Sequence, residues 1–272
     1  MNRVGNSKYS YETHYMSCLA AMLLVTNTIL TSCAPAASTK AVVKQCVLPA
    51  DQAGTLSGRW KIKPIPVAFQ QGAFSNAEMA AIMAAADVWN GFYSASLGIA
   101  RIIDYGTSVS SPRLTSSTDT TMLCPPSQAA ILPATASSFL GAVNIYKRAA
   151  WPADKKDAIA LTSFCRDAGT PLMSLTNAMM EVNYAYFFTS GKRQPDLTSI
   201  FVHEFGHLVG LDHSCDSTGR TGFPICSATE LPSSYISAVM YPVVLFDTTG
   251  VGEVRQDLNE NDEGRGNCLY AP

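Results

Sequence analysis

Histidine is scarce in this chain. Only four occur in 272 residues, and three of them (His203, His207 and His213) sit together in one short stretch. Charge is scarce too. Asp, Glu, Lys and Arg make up 15% of the residues, against roughly 25% in average globular chains. The formal net charge is only -2, and there is no basic stripe, which excludes nucleic acid as a partner. No C-x-x-C pair occurs among the eight cysteines, which sets aside a cysteine-ligated metal. The apolar run at 18–30 has thirteen residues, whereas a membrane-spanning helix needs about 20.

That run has another reading. Arg3 and Lys8 precede it, and it ends in Leu30-Thr31-Ser32-Cys33. The segment resembles the leader of a bacterial lipoprotein, cut before Cys33 and lipidated on its thiol. Ala34 in the next position points to the outer membrane, with the protein facing the periplasm or the surface. An ordinary secretory leader cut near 34–37 is the alternative. Residues 1–32 are therefore expected as signal peptide. Residues 33–58, rich in Ala, Ser, Gly and Pro, are expected as a tether. Residues 59–272 are expected as the functional domain, working as a monomer. Export leads to an oxidising compartment. Setting aside Cys18 and Cys33 leaves six cysteines. Three disulfides are expected: Cys215–Cys226 flanking a short loop, then Cys124–Cys165 and Cys46–Cys268.

The three clustered histidines belong to His203-Glu204-Phe205-Gly206-His207-Leu208-Val209-Gly210-Leu211-Asp212-His213, which reads H-E-x-x-H-x-x-G-x-x-H. Residues four apart share one face of a helix, so His203 and His207 can aim at one ion. Glu204 lies beside the first ligand, where it can take a proton from a metal-bound water. Gly210 suits the left-handed stop of a helix, and the turn it permits returns His213 as third ligand. Two His and a Glu at these offsets also arise by chance on structural helices. Adding Gly210 and His213 makes coincidence roughly a thousandfold rarer. Asp196 after Pro195 can cap the helix, and Leu197, Ile200, Leu208 and Val209 supply its apolar face.

This motif resembles that of the metzincin metallopeptidases, and within them the matrixins. Ser214 after the third histidine favours the matrixin branch. Ser237-Ala238-Val239-Met240-Tyr241-Pro242 is similar to the family's methionine turn, which lies under the zinc. Alone, Met240 would more often be core filler. The resemblance implies one catalytic Zn²⁺ on His203, His207 and His213, with Glu204 activating the zinc-bound water for hydrolysis of peptide bonds. It implies a protein or peptide substrate lying extended along the edge of the fourth strand, near Ala158 and Ala160, with Pro242 and Val244 at the specificity pocket. It also implies an α+β fold: a mixed, twisted five-stranded sheet, an active-site helix, a second packing helix, and a small C-terminal lobe with a closing helix.

The elements fall in that order. Strand character covers 59–70, interrupted by Pro64 and Pro66. Ser75-Asn76-Ala77-Glu78 is a capping box. The helix after it buries Met79, Ile82, Met83, Ala86, Trp89 and Tyr93 and stops at Gly98. Further strands are expected at 99–105, 143–146, 158–164 and 178–187, with a long surface excursion at 106–138. Residues 258–270, including Asp262 and Gly266, resemble the closing helix.

The chain also departs from the matrixin pattern. No histidine is left for a second zinc. No clear Asp-rich loop is present, so calcium is left open. Val244 stands where a tyrosine is usual. Cys46 faintly echoes the family's cysteine switch, but a structural disulfide is the preferred reading. Two other functions remain in view: a non-catalytic envelope or surface binding protein on the same scaffold, and a metal-dependent hydrolase acting on something other than protein.

Overall fold

A computed structural model describes residues 42–61, 63–108, 110–115, 142–167 and 173–271, which fall within one unit, Ala41–Pro272. The expected leader, Cys33 and Cys124 lie outside the described residues. Ser75 opens helix α1 (Asn76–Leu97): its hydroxyl accepts from the Glu78 amide at 3.2 Å, and the Glu78 carboxylate accepts from the Ser75 amide at 2.8 Å. Gly98 closes the helix with φ 68°, a conformation that costs a residue without Cβ little. Ile82, Met83, Ala86, Trp89 and Tyr93 are buried as their spacing predicts, and Met79 is partly so.

The described residues form nine short strands, seven of them in one sheet. These are β1 (Arg59–Trp60), β2 (Ile65–Gln70), β3 (Ile103–Asp104), β4 (Gly106–Ser108), β5 (Ser111–Pro112), β6 (Leu114–Thr115), β7 (Val143–Arg148), β8 (Ala160–Asp167) and β9 (Ser174–Asn183). The main order is β1-β9-β7-β2-β3, with β6 beside β2 and β8 beside β9. β4 and β5 form a separate two-stranded ribbon. Seven strands replace the expected five for two local reasons. The break around Pro64 splits the first strand, so that β1 pairs with the start of β9 while β2 pairs with β7. The excursion after 106 then returns β6 to the sheet. The strand expected at 99–105 shrinks to the two residues of β3.

The pairs within the seven-stranded sheet are parallel, except that β8 runs antiparallel to β9. β8 pairs with no other described strand, so it is an edge. Val67 lies against Val143, Phe69 against Ile145, and Ile145 against Met180. These side chains share one buried core with α1 and with α2 (Leu197–Val209). Each fully buried aliphatic side chain contributes about 1.5–3 kcal/mol. The Trp89 indole donates to the Val202 carbonyl at 2.8 Å and so joins the two helices.

Residues 42–58 look like a tether by composition but are fastened to the body. Cys46 is disulfide-bonded to Cys268 in the closing helix α4 (Glu260–Tyr270). Its sulfur is therefore committed there rather than to a metal. Gln52 and Thr55 are fully buried, Leu56 bridges to Leu211, and the Val43 amide donates to Glu263 at 2.8 Å. A short helix, α3 (Ser233–Ile236), precedes the turn that carries Met240. Cys215–Cys226 is the second described disulfide, and Cys165 is also disulfide-bonded. The disulfides indicate an oxidising, non-cytoplasmic compartment. No helix of the described residues is long and apolar enough to cross a membrane.

Candidate metal centre

The Asp196 side chain accepts from the Ser199 amide at 2.8 Å and starts α2 as its sequence predicts. Gly210 ends the helix with φ 117°. A Cβ at Gly210 would run into the Gly58 carbonyl, and Ser57 donates to the Gly210 carbonyl at 2.8 Å. Only glycine lets the segment at 57–58 pass so close. The chain then turns and brings His213 back towards the helix.

The ligand nitrogens of His203, His207 and His213 all lie within 4.8 Å of one another. Nε2 of His207 and Nε2 of His213 are 3.2 Å apart. His203 Nδ1 sits 2.6 Å from the Val239 carbonyl, and His207 Nδ1 2.8 Å from the Leu211 carbonyl. A carbonyl can only accept, so both Nδ1 atoms carry the hydrogen, which leaves Nε2 as the ligand nitrogen of each ring in its neutral form. Burial holds His203 well below the usual imidazole range. It lowers His213 to about 3, with His207 adding to the effect. Both rings are thus neutral at neutral pH, the form that ligates metals. The triad could bind a metal ion. Among the described residues it is the one grouping of three His, Cys, Asp or Glu side chains close enough to share one.

Glu204 is buried beside the triad. Burial pushes its pKa up, while His207 and Thr162 pull it down. Thr162 Oγ1 donates to Glu204 Oε2 at 2.5 Å. Thr162 was not anticipated from the sequence. Its neighbour Ser163 carries a hydroxyl as well, so nothing local singles Thr162 out. Met240 is fully buried. A Cβ at Gly206 would collide with its sulfur and come within 3.0 Å of Trp89 Cζ2. Met240 therefore lies against α2 between the two helical ligands. Its turn is fastened from α4, where Asp262 accepts from the Val239 amide at 2.9 Å and the Met240 amide at 3.2 Å.

A cleft of about 530 Å³ opens onto the triad. Ala158, Ala160 and Thr162 line it at β8, and Pro242 and Val244 line it as well. Phe187 and Phe246 stack at 6.3 Å in its wall, with Arg193 over Phe246 at 4.9 Å. Arg255, also lining the cleft, pairs with Glu253 at 2.5 Å. These five residues were not singled out by sequence, since nothing in their spacing marks a site. All of the expected metal, base and cleft residues are thus brought to one place. The expected pairs Cys46–Cys268 and Cys215–Cys226 are present, and Cys124 lies outside the described residues. Neither models of known protein families nor curated proteins gave a match to this chain.

Proposed function

We propose that this protein is a zinc-dependent endopeptidase of metzincin type, matrixin-like, exported and held at the outer membrane through Cys33. One observation carries the reading: three partly buried imidazoles converge beside a buried carboxylate on an open cleft. Three nitrogen donors with room for a further ligand suit catalytic zinc. Zinc held there would supply Lewis acidity, lowering the pKa of a bound water toward about 7 and polarising the substrate carbonyl.

The chain's own groups do the rest. Glu204 accepts the proton from the water and later delivers it to the leaving amine. Its Oε2 is anchored by Thr162, so the carboxylate keeps one orientation through the cycle. Burial raises its proton affinity, which suits a base that must hold a proton briefly. The open edge of β8 runs along the cleft and can take an extended peptide by backbone pairing. The Phe187–Phe246 wall, Pro242 and Val244 receive an apolar side chain next to the scissile bond.

The test is cleavage of an unfolded protein by the oxidised chain, with and without chelator, with zinc restored, and beside Glu204→Ala. Cleavage that chelator stops, zinc restores and the variant lacks is the expected result. Full activity in Glu204→Ala would overturn the mechanism. Zinc binding without any proteolysis would favour the non-catalytic envelope-binding reading, and turnover of a plain ester alone would favour a different hydrolase.

A further inference from the structure

The three imidazoles are not held alike. His203 and His207 ride on α2, and each has its Nδ1 fixed by a carbonyl. His213 lies on the loop after the helix. Among the described residues its ring makes one hydrogen-bond contact, with Nε2 of His207, its neighbour in the triad. No partner outside the triad aims the His213 ring, so its direction is set by its backbone.

That backbone is gripped from elsewhere in the fold. Arg265 Nη1 on α4 lies 3.0 Å from the Asp212 carbonyl and 3.5 Å from that of His213. The next carbonyl, Ser214, accepts from Gln52 Nε2 at 2.8 Å, and Asn261 holds Gln52 in turn at 2.6 Å. Arg265 is fully buried. Among the described residues its Nη2 finds no hydrogen-bond partner, and it stands 3.6 Å from Asp262 Oδ1. That carboxylate takes the amides of Val239 and Met240, and the Val239 carbonyl orients His203. One buried ion pair on a single turn of α4 thus reaches the supports of the first and third imidazoles. Burying a guanidinium costs several kcal/mol, and an apolar side chain of like volume is often as stable or more so. A buried arginine whose Nη2 has only this 3.6 Å ion pair is therefore poorly explained by stability alone.

We infer that Arg265 is a positioning residue: it fixes the loop that aims His213, and so sets how firmly the site holds its ion. This rests on the metal reading above. Arg265→Met keeps the apolar stem and removes the donors. Asp262→Asn/Arg265→Met also removes the carboxylate that would otherwise be left buried and unpaired. Three readouts are compared with the wild type: circular dichroism of the metal-free protein, zinc release to a chromogenic chelator, and the visible spectrum of the cobalt(II)-loaded protein. The metal-free variants are expected to fold. Zinc release is expected to speed up by about 10–100-fold, as for other outer partners of metal ligands, and the cobalt bands to shift toward those of His213→Ala. Unchanged release and an unchanged spectrum in a folded variant would overturn the inference. If neither methionine variant folds, Arg265→Lys is read instead. It offers one compact donor group in place of the fork, so faster release supports the inference and an unchanged rate overturns it. A wild-type chain that takes up neither ion would sink the metal reading itself.

Discussion

Replacing Gly206 by alanine tests whether Met240 presses on the metal helix. Glycine inside a helix costs about 0.5–1 kcal/mol relative to alanine, so on propensity alone the change should stabilise α2. The structure argues the opposite. The new Cβ would overlap the Met240 sulfur and crowd Trp89 Cζ2 at 3.0 Å, and both neighbours are fully buried. Forcing a methyl into a filled core costs about 1–3 kcal/mol. The net expectation is a loss of about 1–2 kcal/mol, or about 2–8 °C in Tm for a domain of this size. Thermal and urea unfolding of the metal-free, oxidised protein would read it. Met240→Ala makes room for the methyl, so the double variant should lose less than the sum of the two single changes. A higher Tm in Gly206→Ala, or strict additivity with Met240→Ala, would refute the close contact on which this account of the methionine turn rests.

Acid should loosen the metal-free fold before most carboxylates titrate. His213 has its pKa lowered to about 3, so its contribution is complete above the ordinary value of 6.5 and is lost as pH falls toward 3. At pH 5 that loss is about 2 kcal/mol, and His203, shifted the same way, adds to it. Glu204 is raised by burial and works in the opposite sense above pH 4.5, so the comparison is made in Glu204→Gln. Urea midpoints that match at pH 7.5 and 5.0 would mean that the folded imidazoles take up protons freely. Separately, Cys46→Ser with Cys268→Ser should cost about 2–5 kcal/mol, read by urea unfolding. No change would show that residues 42–58 are held without the covalent link.

The helices were the most legible part of the chain because their signals are local. Ser75 and Glu78 mark the start of α1 within four residues, and Gly210 marks the end of α2. The triad was legible for the same reason: the helical repeat alone puts His203 and His207 on one face. What escaped depends on distant partners. Residues 42–58 read as a linker until Asn261, Glu263 and Cys268 are seen to hold them. Arg265 carries no local signal that marks it as special, yet it is fully buried. The split of the first strand was signalled by Pro64 and Pro66. The pairing of its first half with β9 was not, since strand partners are chosen by the assembled sheet. Thr162 acquires its role only when β8 lies beside α2.

Residues 42–58 also carry a consequence for the order in which the molecule assembles. The contacts that join them to α4 close very long loops: Gln52 to Asn261 spans 209 residues, Val43 to Glu263 spans 220, and Cys46 to Cys268 spans 222. Contacts of such separation are slow to form, whereas a helical turn forms in well under a millisecond. Two of the three imidazoles can therefore meet early on α2, while the third finds its place only after the far-separated segments have joined. A half-folded chain offers an ion two nitrogens and a mobile third. On the proposed metal reading, tight capture of the ion is then a late event, and its uptake during refolding would work as a clock for the last stage of folding.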